Sequence, residues 1–100
     1  MKVITICGSM KYKDKMLEIA ETLALKGNCI ITPMFLTKSK DSYTKEELLV
    51  LKDIHKEKIK LSNSILVVNI NNYIGESTKI EIDYAKLLNK EIIYYTDLIK

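Results

Sequence analysis

Ser77 and Glu81 stand four residues apart in a segment whose apolar spacing predicts a helix, so a hydroxyl and a carboxylate share one face. An apolar run at 65–68 leads into a polar loop that holds Asn69, Asn71, Asn72, Tyr73 and one glycine, Gly75. This is the layout of a strand, a turn and a helix opening toward a ligand. A carboxylate aimed into a cleft there would have its pKa raised by burial and could act as nucleophile or base. The same residues fit a second reading: Thr78-Lys79-Ile80-Glu81 is a capping-box pattern, in which Glu81 only reaches back to an N-cap threonine. Ser77, at the helix opening, is a natural phosphate ligand, and Glu76 suits the helix dipole. Gly8 and Ser9, followed by Met10, lie between a strand and a helix. They form either a tight turn with an N-cap serine or a backbone cradle for a phosphate or sugar. The asparagines could bond a sugar or shape the turn, and Phe35, Tyr43 and Tyr73 could stack on a base or simply pack.

The elements that must position these residues alternate along the chain. Residues 2–7 are rich in Val, Ile and Thr and predict a buried strand. An amphipathic helix over 12–26 follows, with Met16, Ile19, Ala20, Leu23 and Ala24 on one face and Gly27 as the residue just past its end. Residues 29–34 predict a second strand, closed at Pro33. A loop at 35–44 is long enough to serve as a lid or binding loop. Thr44-Lys45-Glu46-Glu47 is a capping box that starts a second helix reaching about residue 61. That helix carries one stripe of Leu48, Leu51, His55 and Ile59 and another of Val50, Ile54 and Leu61. A third strand is expected at 64–70. A third helix follows at 78–89, with Ile80, Tyr84, Leu87 and Leu88 inward and Asn89 at its C-terminus. A fourth strand is expected at 91–95. Such alternation predicts an α/β fold: a parallel sheet in the order 2-1-3-4, with helices on both faces. Ligands in these sheets bind beyond the strand ends where the order reverses, between the loops at 8–10 and 70–77.

One hundred residues make a single domain over 1–100. Lysine supplies all 16 basic side chains and the net charge is only +3. Without arginine, the usual reader of phosphate and guanine, nucleic-acid binding is not expected. No apolar run approaches the roughly 20 residues of a membrane span. The chain enters a strand at once with no cleavable signal, which reads as cytoplasmic. Cys7 and Cys29, both in predicted strands, read as buried free thiols. With His55 as the single histidine, a hydrogen-bonded, partly buried role is expected, and no metal. No cofactor is expected either, since the first loop lacks the hydroxyl run of a flavin phosphate cradle. Small size and the second apolar stripe together predict a homodimer.

Ile-Cys-Gly-Ser-Met at 6–10, His55 with Lys58-Ile59, and Tyr-Ile-Gly-Glu-Ser-Thr-x-x-Glu-Ile-x-Tyr-Ala at 73–85 resemble the nucleoside 2-deoxyribosyltransferase-like superfamily, which includes the 2′-deoxynucleoside 5′-monophosphate N-glycosidases. The resemblance covers nearly the whole chain. It implies a three-layer, Rossmann/flavodoxin-like parallel sheet of four or five strands and an oligomer of two or more chains. It implies cleavage or transfer at the N-glycosidic bond of a nucleoside or nucleotide. Glu81 would be the catalytic nucleophile that attacks the anomeric carbon. Ser77 would bind the 5′-phosphate, and Gly8 and Ser9 would make the first-loop contacts. Met10, Asn69, Tyr73 and Gly75 complete the expected substrate-binding set. The acid with which the family's second helix assists the leaving base has no aligned counterpart; Glu57 is a possible substitute, and Lys60 stands where an acid would be expected. The same motifs also suit a nucleotide-sensing module that binds without turnover.

Overall fold

The computed structural model describes residues 1–99. Four strands, β1 (Val3–Gly8), β2 (Cys29–Ile31), β3 (Ser64–Val68) and β4 (Glu91–Tyr94), alternate with α1 (Lys13–Leu25), α2 (Lys45–Leu61) and α3 (Glu76–Leu87). The strands form one all-parallel sheet in the order 2-1-3-4. The expected topology is therefore the observed one, with four strands. A one-turn helix, α4 (Tyr95–Leu98), follows β4 where the sequence reading ran the strand on to residue 95.

Period-two alternation splits the central strands between two cores. Ile4, Ile6, Leu66 and Val68 face α1, where Met16 and Ile19 close over them. Cys7, Ile65 and Val67 face the other way, against Ile59 of α2 and Ile82 and Ala85 of α3. Both faces of the sheet are thus covered, as a parallel sheet requires. The register pairs Cys7 with Val67 and Gly8 with Val68, so β1 and β3 end side by side at the order reversal. At Gly8 a side chain would meet Met16 Sδ at 3.1 Å and Val68 Cβ at 3.3 Å, so glycine lets α1 and β3 close on the strand end.

Helix α2 is anchored at both ends. Thr44 and Glu47 form the reciprocal capping box read from the sequence. At the other end, the hydroxyls of Thr5 and Ser62 lie against each other and within hydrogen-bond distance of the Lys58 carbonyl, at 3.0 and 2.8 Å, so that one donates to the carbonyl and the other to its neighbouring hydroxyl. This buried knot ties the last turn of α2 to β1 and fixes which residue one turn earlier, His55, meets the sheet.

Four expectations are corrected. Helix α3 begins at Glu76 with Gly75 as its N-cap, so Thr78 is a buried interior residue and not a cap. Its buried stripe is Thr78, Ile82 and Ala85, while Ile80 and Leu87 are exposed. Small side chains let the helix lie close to the sheet, and size-weighted hydrophobicity picked the wrong face. Cys29 is exposed, because β2 is a three-residue edge strand and Cys29 is its first residue. That strand stops at Ile31, short of residue 34. Pro33, which has no N–H to donate to a ladder, lies just beyond it. The turns at Gly27 and Asn89 are as expected, with φ of +94° and +58°.

Candidate functional site

Three polar side chains from three elements meet behind the ends of β1 and β3. Cys7 comes from β1, His55 from α2 and Glu81 from α3. Cys7 Sγ lies 3.4 Å from His55 Nε2, and His55 Nε2 lies 3.6 Å from Glu81 Oε1. Their donor atoms all fall within 4.8 Å of one another. Cys7 is fully buried, His55 is nearly so, and the Glu81 side chain keeps 23% of its exposure. Glu81 can be here because α3 starts at Glu76. The residue lies in the second helical turn beside the buried stripe, with no capping bond to Thr78.

Burial sets the protonation of this group. It lifts the Glu81 carboxyl to about 7, an effect partly offset by a hydrogen bond with the Cys7 thiol. It lowers His55 to about 4, helped by the charge of Lys58. Burial, and then the Glu81 charge, hold the Cys7 thiol well above its ordinary value. The His55–Glu81 contact is therefore not an ion pair at neutral pH, because the imidazole is uncharged there. Between about pH 4 and 7 the pair carries one proton.

Two recesses flank Glu81. The first is an open cavity of about 150 Å³, walled by Met10, Pro33, Met34, Leu36, Leu48 and Leu51, with Gly8, Lys40, Lys52, His55 and Glu81. The loop at 35–44 thus supplies part of its wall through Leu36 and Lys40. The second is a groove of about 230 Å³ between α2 and α3, lined by Leu49, Lys52, Asp53, Lys56, Ser77, Ile80 and Glu81. Lys52 and Glu81 are common to both. Glu81 is the only acidic residue on the first cavity among the described residues. Glu57 and Lys60 line neither recess.

The expected site residues divide accordingly. Gly8, Met10 and Glu81 share the cavity, and Ser77 joins Glu81 in the groove. The others shape the loops around it. Ser9 caps the 3-10 turn Met10–Tyr12 by accepting from the Lys11 amide at 3.4 Å. Tyr73 packs edge-on to Tyr12, with Lys11 Nζ 3.6 Å from its ring centre. Gly75 opens α3 without a side-chain cap, so nothing from the N-cap side chain occupies the first-turn amides. Asn69 is buried, and both its amide atoms bond Thr96 in α4, at 3.0 and 3.2 Å. Phe35 packs on the α1-side core. Sequence reasoning missed Lys40, Lys52 and Lys56 as site cations, because a lysine on a helix or loop carries no local mark of what it faces. No family model, curated protein or solved structure matches the chain.

The opposed shifts of Glu81 and His55 give a stability prediction for the chelator-treated protein. In the unfolded chain the carboxyl titrates near 4.5 and the imidazole near 6.5. Folded and unfolded states then each hold one proton on the pair between these values, so the pair contributes no pH slope there. Glu81→Gln leaves only His55, which the unfolded chain protonates first. Stability should then rise with pH from about 4 to 6.5. His55→Gln leaves only Glu81, which the folded state keeps protonated longer, so stability should fall from 4.5 to about 7. Each variant should change by on the order of 3 kcal/mol across its window relative to the flat parent contribution. Urea denaturation at several pH values checks this; parallel curves for all three proteins would refute it.

Proposed function

We propose that the protein cleaves or transfers at the N-glycosidic bond of deoxynucleosides or their 5′-monophosphates, with Glu81 as nucleophile. One observation carries this reading: Glu81 is shared by two recesses, a cavity with an apolar wall of Met10, Pro33, Leu48 and Leu51 and a groove that brings Ser77, Lys52 and Lys56 together. A nucleotide has the same division, an apolar base and an anionic phosphate joined through the sugar. The base would occupy the cavity among Met10, Pro33, Leu48 and Leu51. The phosphate would lie in the groove, against Ser77, Lys52, Lys56 and the uncapped first turn of α3. The anomeric carbon would then stand at Glu81. Departure of the base leaves an oxocarbenium-like carbon, which an adjacent carboxylate stabilises or traps. The resemblance of residues 6–10 and 73–85 to the deoxyribosyltransferase-like superfamily supports the same chemistry.

The test is release of free base from the four deoxynucleoside monophosphates. Wild-type turnover should rise with pH through about 7 as Glu81 ionises. Glu81→Gln should keep the fold and lower the rate by orders of magnitude, because an amide cannot trap the carbon. A wild-type rate in this variant would exclude Glu81 as nucleophile.

Ser77→Ala should weaken a monophosphate more than the corresponding nucleoside. Equal losses in calorimetry would remove Ser77 from phosphate binding.

A second reading is a nucleotide-sensing module without turnover. The observation in its favour is the lack, among the described residues, of a second acid on the cavity to protonate the leaving base. Nucleotide binding with no base release from the wild-type protein would decide for it.

We also propose a homodimer through the outer face of α2, where Val50, Ile54 and Leu61 are exposed together. Light scattering at micromolar concentration should give twice the chain mass; a monomer mass would refute the pairing.

A further inference from the structure

We propose that Cys7, His55 and Glu81 form a mononuclear site for a borderline-soft divalent cation, Zn2+ being the best fit. The three ligand types are a thiol, an imidazole and a carboxylate, the set that zinc takes in four-coordinate sites. Zinc–sulfur and zinc–nitrogen bonds of the usual length set tetrahedral ligand-to-ligand edges of roughly 3.3–3.6 Å. The Cys7–His55 and His55–Glu81 separations are 3.4 and 3.6 Å. The remaining pair, Cys7 and Glu81, lies within the same 4.8 Å envelope. Two of the three donor pairs already stand at the spacing a metal would impose, and the third needs only a side-chain adjustment to reach it.

Charge and access agree with this. A thiolate and a carboxylate together neutralise a divalent cation, so the loaded site buries no net charge next to a neutral imidazole. Binding displaces the Cys7 proton to solvent, and the Glu81 proton where it is held; no electron moves. Hard cations such as Mg2+ and Ca2+ prefer oxygen ligands and have no use for the sulfur and nitrogen. His55 and Glu81 both border the open cavity, which leaves a fourth position for water. Three protein ligands with one open position is the pattern of an accessible zinc site, not a closed structural one. The sequence hides this set because its members lie 48 and 26 residues apart, on a strand and two helices.

Metal binding stands independently of the proposed glycosidase reaction, but its consequence for turnover rests on that reading. A carboxylate that coordinates a metal cannot also attack an anomeric carbon, so the loaded protein should be inactive as a glycosidase.

Co2+ titration of the chelator-treated full chain, with metal analysis after Zn2+ loading, tests the proposal. One metal per chain is expected, with visible absorption of tetrahedral intensity and a sulfur-to-cobalt charge-transfer band. Cys7→Ser should abolish that band, while Cys29→Ser, which alters the exposed thiol, should keep it. Cys7→Ser and His55→Gln should each weaken Zn2+ by more than roughly tenfold, at least the loss that even an outer-shell partner brings. Circular dichroism reports whether each variant is folded, and the wild-type spectrum decides even if a variant is not. The proposal is overturned by a wild-type chain that takes up no Co2+, or by a charge-transfer band that survives Cys7→Ser or vanishes in Cys29→Ser. Base release measured with chelator and with one equivalent of Zn2+ keeps the two readings apart. Turnover that stops as the site fills supports both. Turnover indifferent to bound Zn2+ removes Glu81 as ligand. An inactive chelated protein with intact Co2+ spectra refutes the glycosidase and leaves the metal site standing.

Discussion

The meeting of Cys7, His55 and Glu81 is the constraint on which the arrangement of this molecule rests. It sits at the junction of β1, α2 and α3, in a layer otherwise filled by Ile59, Ile65, Val67, Ile82 and Ala85. Polar groups in such surroundings are stable only while they bond one another, and each would be costly if left alone. The two helices are therefore held at the rotation and depth at which these side chains touch. The hydroxyl knot of Thr5, Ser62 and the Lys58 carbonyl serves the same end one turn further along α2. Small residues on α3, Thr78 and Ala85, let that helix come close enough to the sheet for Glu81 to reach.

The chemistry of the corner follows from this packing. A carboxyl held near neutrality and an imidazole held uncharged are the two outcomes of the same dry environment acting on an acid and a base. Just outside, the surroundings change within one residue. Lys40 and Lys52 border the cavity and Lys52 and Lys56 the groove, so cations stand at the rim of both recesses. The chain has no arginine, so point charges on flexible stems supply all of this attraction.

How much of this could be read from residues alone depended on the range of the signal. The sheet order was legible because each strand and helix carries its own period, and alternation of the two leaves few topologies. The cap at Thr44 was legible because both partners lie within four residues. The similar pattern at Thr78 misled, since the loop before it delivers the chain to the helix at Gly75. Spacing alone cannot say where the preceding turn ends. Gly8, Met10, Ser77 and Glu81 do border the two recesses, because topology points to the strand ends at the order reversal. His55 was expected to be buried and bonded, but not to meet Cys7 and Glu81; that depends on the register of α2 against β1. The reading of Asn69 as a sugar ligand met a competing partner, Thr96, in a helix the sequence did not announce.

That last contact has a mechanical consequence. Helix α4 is a single turn, with few bonds of its own to resist opening. Through Thr96 it holds Asn69 by both ends of the amide, and Asn69 begins the turn that contains Asn71 and Asn72 in left-handed conformations, φ 53° and 62°. Each such residue is held somewhat uphill by its surroundings. The two bonds therefore fix the turn from beyond the end of β4: the same side chain that leaves β3 is clamped by the residue that follows β4, so both strand ends set where the loop into α3 begins.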